Sequence, residues 1–185
     1  MKKKVSVKWL RHPVLICLLL LIFLTPVQAQ RKWKDYLLPG SSMFVSGMLD
    51  GTTESLSFHY NNGFKVHFPK INNQFWDPSV SWQNKYTNGN PDLGAKFPGS
   101  TTVFVCTTDG YHLLRALKRS VDGLTLAYYI NESVQKINSC PEYKHGRKKW
   151  KNTVVDFLIL TAIRSAGFNL TYYALFNQQG MHYKL

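Results

Sequence analysis

Apolar positions fall into blocks separated by polar punctuation, and the blocks differ in period. Val14 to Leu24, "VLICLLLLIFL", is an unbroken apolar run of secretory length, too short to cross a bilayer comfortably. Thr153 to Phe176, "TVVDFLILTAIRSAGFNLTYYALF", is the longest continuous apolar stretch and reads as a helix. It contains Asp156, Arg164 and Asn169. Ionisable groups in a lone lipid-facing span are expensive, so this helix is either the centre of a soluble bundle or a span packed polar side inward.

Two other blocks leave alternatives open. Residues 41–63 read as a helix starting at Ser41 or Ser42 and stopping at Asn61-Asn62-Gly63 as its C-cap, the local pattern favouring helix for 41–54. Residues 55–68 also fit a hairpin, "SLSFHY" and "FKVHF" around "NNG". "TTVFVCTT" is rich in β-branched residues and fits a strand ending at Asp109-Gly110. As a helix, it runs from a Ser100 cap to about Ser120, with Gly110 costing about 1 kcal/mol. Leu124 to Ile137 is a further helix.

Between these blocks, residues 64–99 carry prolines 69, 78, 91 and 98, which exclude long elements. The stretch also holds Trp76, Trp82 and several Phe and Tyr residues, too many to leave in water. It is expected to be an ordered aromatic loop capping one end of the domain.

Charge changes the picture at the N-terminus. Of 23 Lys and Arg against 10 Asp and Glu, Lys2, Lys3, Lys4, Lys8 and Arg11 precede the first apolar run. A basic segment, an apolar run, Pro26 and small residues before Gln30 make 1–29 a signal peptide, or an uncleaved N-terminal anchor. Residues 30–185 then form a single exported domain, periplasmic or membrane-associated. Export leaves Cys106 and Cys140 as a pair in an oxidising compartment. A hairpin turning at Asp122-Gly123 would bring them level for a disulfide; otherwise they are two free thiols. The remaining basic excess favours phosphate-bearing partners or anionic membrane surfaces. "RKWK" and "GRKKWK" set Trp33 and Lys34, and Arg147, Lys148, Lys149 and Trp150, where a membrane–water boundary suits both rings and cations. Membrane lipid or envelope components are the expected partners, and no specific nucleic-acid binding is expected.

"GMLDGTTESLSFHY", "NNQFWDPSVSWQNKYTNG", "STTVFVCTTDGYHLLR" and "VVDFLILTAIRSAGFNLTYY" together resemble a family of small bacterial envelope proteins to which no activity is attached. The resemblance runs from about Phe44 to Tyr173. It implies a mainly α, membrane-associated protein, with about four helices after the signal or anchor and a long aromatic loop. It therefore favours helix over the 55–68 hairpin, an α+β alternative, and helix over strand for 100–120.

On helices, Asp109 and His112 lie about 60° apart and Asp50 and Glu54 about 40° apart, so each pair shares a face. Asp156 adds an acid from the last helix. Carboxylates and an imidazole projecting inward from facing helices are how bundles hold a divalent metal ion, and they suit acid–base work. The same groups serve equally as structural pairs for interior cations such as Arg115 and Arg164. No zinc spacing, serine nucleophile elbow or phosphate-cradling glycine loop occurs. Three functions follow as expectations: a structural or interaction protein of the envelope, a metal-dependent enzyme using Asp50, Glu54, Asp109, His112 and Asp156, or a lipid or anion binder.

Overall fold

The computed structural model describes residues 33–139 and 149–176, with side chains over 33–132 and 153–176. All of these fall in one unit, Trp33–Leu185; the expected signal or anchor lies in the other, Met1–Lys32, outside the described residues. The described chain is mainly α. Its three long helices are α1 (Leu37–His59), α2 (Gly110–Ser139) and α3 (Lys149–Asn169). No strand occurs among the described residues, so the 55–68 hairpin is not formed. The nearest thing to a sheet is a single antiparallel bridge between Tyr86 and Ala95.

α1 is central and packs on both other helices. Its contacts with α3 run in parallel order, Gly40 to Ile163, Gly47 to Arg164 and Gly51 to Thr171. Its contacts with α2 run antiparallel, with Ser46 meeting Asp122 and Asp50 approaching Lys118.

The α1–α3 seam is a backbone-to-backbone contact. A Cβ at Gly47 would stand 2.0 Å from the Arg164 carbonyl oxygen, and one at Gly167 would stand 2.2 Å from that of Phe44. Small residues are what let two helices approach this closely, as they do in membranes. Thr171 belongs to the same seam, its hydroxyl donating across to the Met48 carbonyl at 3.1 Å.

Where the two helices end, both widen into π-helical turns, Tyr60–Phe64 and Leu170–Leu175. There a Cβ at Gly63 would lie 2.0 Å from the Phe176 carbonyl oxygen. The turns deliver Tyr60, Phe64 and Phe176 to the apolar core with Leu56 and Leu114, against which Ile71 and Trp76 pack. Trp76 comes from the 64–99 segment, which is ordered as expected. It is a succession of one-turn helices, Asn73–Trp76 and Pro78–Ser81 among them, started by side-chain caps from Asn72 and Asp77.

Several expected boundaries move. α1 begins at Leu37, not at a Ser41 or Ser42 cap; Ser41 instead donates to the Leu38 carbonyl. Pro39 is tolerated because the first turn has N–H groups without helical partners. Asn61-Asn62-Gly63 is a π turn and not a C-cap, because Gly63 is used for close approach to Phe176. α2 starts at Gly110, so Gly110 is not an interior glycine. Ser100 is a buried loop residue donating to the Lys85 carbonyl at 2.7 Å. α2 continues unbroken through Asp122-Gly123, which removes the hairpin turn, and a helix of 30 residues is about 45 Å long.

The distribution of side chains is inverted relative to a water-soluble bundle. Ser46, Thr53, Ser55, Thr125 and Thr171 are all buried, while Phe58, Leu124, Leu126 and Phe157 are each more than 60% exposed. Thr53, Ser55 and Thr125 satisfy their buried hydroxyls on carbonyls one turn back, at 2.7, 2.8 and 2.9 Å.

Candidate functional site

Asp109 sits just before α2 and is 1% exposed. Its carboxylate accepts the His112 backbone N–H at 2.8 Å, the pattern of an N-cap satisfying the third residue of a helix. It also meets His112 Nδ1 at 2.7 and 2.9 Å and accepts the Thr108 hydroxyl at 3.2 Å. A carboxylate can only accept, so Nδ1 carries the proton in this contact, leaving Nε2 as the acceptor of a neutral ring. Gly110 follows because a Cβ there would fall 2.3 Å from the Trp76 ring. The Asp109–His112 pair therefore forms as the sequence suggested, built into the start of a helix.

Asp50 stands at the meeting of the three long helices. Arg164 Nη2, from α3, donates to its carboxylate at 2.9 Å, and Lys118 Nζ, from α2, approaches to 4.0 Å. Lys118 lies 3.3 Å from Asp122, which accepts the Ser46 hydroxyl at 2.5 Å. A polar chain from Arg164 through Asp50, Lys118 and Asp122 to Ser46 thus crosses the bundle. Asp156 lies nearer the start of α3 and accepts the Tyr36 hydroxyl at 2.5 Å.

Glu54, one turn beyond Asp50, joins it on the wall of a cavity of about 350 Å3 between α1 and α2. Tyr111, Arg115, Lys118 and Arg119 form the opposite wall. Of the five candidate ligands, Asp50 and Glu54 share this cavity, Asp109 pairs with His112, and Asp156 pairs with Tyr36. Among the described residues no three His, Cys, Asp or Glu side chains gather as a set able to hold a metal ion. The basic wall was missed in the sequence, although Arg115, Lys118 and Arg119 share one helical face by their spacing.

At the core end, Tyr60 is buried. Its hydroxyl donates to Asn73 at 2.8 Å. Cys106 is a half-buried free thiol. Cys140 lies outside the described residues, and the hairpin that would have brought residues 106 and 139 level is replaced by the length of α2.

Among the membrane-surface candidates, Trp33 is 68% exposed and Lys34 lies over its ring at 5.9 Å. Lys149 and Trp150 open α3, while Arg147 and Lys148 lie outside the described residues. Because α1 and α3 are parallel, Trp33-Lys34 and Lys149-Trp150 begin at the same end of the bundle.

From Thr153 to Leu175, α3 and its π turn make a helix long and apolar enough to cross a membrane. That holds by length and composition, and little of the stretch is buried. No family model matches the chain, and neither a curated protein nor a solved structure matches it.

Proposed function

We propose that this chain is an exported, basic protein of the bacterial envelope whose helices sit in the membrane, where it has a structural or interaction role. The inverted burial carries the reading. α3 and the π turn that follows it put Phe157, Leu158, Leu170 and Leu175 outward, and keep Gly167 and Thr171 against α1. In water, exposing those side chains forfeits about 25 cal/mol for each Å2 of apolar surface; in lipid the penalty disappears. The charged residues on α3 fit the same solvent, since Asp156 and Arg164 each meet a polar partner on the α1 side. Polar groups within a span are retained where they point into the bundle. The Trp and Lys residues at one end supply the side chains suited to the headgroup layer.

Cell fractionation tests the reading. The expected outcome is a membrane pellet that keeps the protein through alkaline carbonate and high salt and releases it only to detergent. A monodisperse protein recovered in detergent-free buffer would contradict it. Mass measurement of the same material separates a processed chain lacking residues 1–29 from one that keeps them as an anchor.

A further inference from the structure

The cavity between α1 and α2 has no part in holding the helices in a membrane, yet its volume of about 350 Å3 lies in the range of small-molecule sites. Its chemistry is divided. On the α2 wall Arg115 and Arg119 are four residues apart and so adjacent on one face. Arg115 is oriented, with Nη1 donating to the Tyr111 hydroxyl at 2.8 Å and the guanidinium 5.3 Å from that ring's centre. Lys118 between them is already committed to Asp122 and Asp50. On the α1 wall Asp50 is taken by Arg164, whereas Glu54 is half-buried. Among the described residues, Glu54, Arg115 and Arg119 form no ion pair with one another or with any other group.

Two arginines adjacent on one helix face, with a carboxylate on the opposite wall, are complementary to a ligand carrying the reverse charges. Guanidinium forks match phosphate oxygens, and a lone carboxylate matches an ammonium group. We propose that this cavity binds a phosphate ester bearing a primary amine, the headgroup chemistry of an ethanolamine phospholipid. Arg115 and Arg119 take the phosphate and Glu54 takes the amine. An inorganic anion satisfies only the α2 wall and leaves Glu54 facing a negative charge.

The test needs no membrane, so its outcome is separate from that of the fractionation above. Full-length protein in maltoside detergent is titrated calorimetrically with glycerophosphoethanolamine, glycerophosphate and ethanolamine. Wild type is expected to bind the first more tightly than either half-ligand. Arg119→Gln, at an exposed position without an ion-pair partner, weakens that binding tenfold or more, the loss expected for a charged hydrogen bond. Glu54→Gln weakens it similarly, but leaves glycerophosphate binding unchanged or tighter. Lys96→Gln, in the loop, changes nothing. Tighter binding of a short-chain diacyl form than of glycerophosphoethanolamine assigns the ligand to lipid, and equal binding assigns it to a soluble amine phosphate. Absence of binding by wild type, affinities unmoved by both cavity variants, or glycerophosphate bound as well as glycerophosphoethanolamine would overturn the proposal.

Discussion

Asp109 closes the first turn of α2 and holds an imidazole with the same carboxylate. Both oxygens are engaged, and the residue is almost wholly buried. Removing the carboxylate unmakes the cap, worth about 1 kcal/mol, and leaves the His112 ring without its buried partner, worth about 1–2 kcal/mol more. Asp109→Ala should therefore lower the thermal midpoint in detergent, followed by helical circular dichroism, well below that of Asp109→Asn, which keeps an oxygen for the His112 N–H. Equal midpoints for the two variants would contradict this account. The pairing was legible because it is local: three residues of helix fix it whatever the rest of the fold does. The reason for Gly110 was not, since the ring that excludes a side chain there comes from Trp76, far back in the chain.

At the scale of elements, the α1–α3 seam carries the most stringent packing. A leucine at Gly167 must displace the backbone of α1 at Phe44, whereas Phe157 on the same helix faces outward and meets no such constraint. Overpacking in a well-packed interior typically costs 1–3 kcal/mol, and backbone clashes lie at the upper end. Gly167→Leu should accordingly abolish or sharply lower cooperative unfolding in detergent, while Phe157→Leu stays within about 0.5 kcal/mol of wild type; equal unfolding midpoints for the two would remove the seam from the account.

The long helices were visible as apolar blocks, but their limits were set by contacts that sequence does not display. The π turns at Tyr60–Phe64 and Leu170–Leu175 lie where the ends of α1 and α3 meet, and Asn61-Asn62-Gly63 taken alone looks like a helix stop. Gly123 looked like a turn, yet it lies inside α2 on a side with nothing within 4 Å, where glycine weakens a helix without ending it. Local β-propensity over 101–108 was likewise overridden. That stretch became turns and a 3-10 segment beneath the Asp109 cap, neither strand nor the first half of a helix.

For the whole molecule, one choice of solvent reconciles its features. Glycine, serine, threonine and paired charges lie between the helices, large apolar side chains face out, Trp33 and Lys34 stand just before α1, and α3 opens on Lys149 and Trp150. The sequence suggested inward charges, and Asp50, Asp109, Asp122 and Asp156 do each find partners. Yet they do so at separate levels, because Asp50, Asp109 and Asp156 stand at different heights on three helices, each close to a different donor. The most direct measurement of the central claim is the medium that touches the outer face of α3. Nitroxide labels at positions 157, 158 and 161, introduced one at a time into protein lacking its native cysteines and reconstituted in lipid vesicles, report collisions with oxygen and with a water-soluble nickel chelate. Membrane residence predicts high oxygen and low nickel accessibility at all three, with the reverse for a label at Lys96 in the loop. Nickel accessibility at 157 and 158 equal to that at Lys96 would place this face in water and contradict the account.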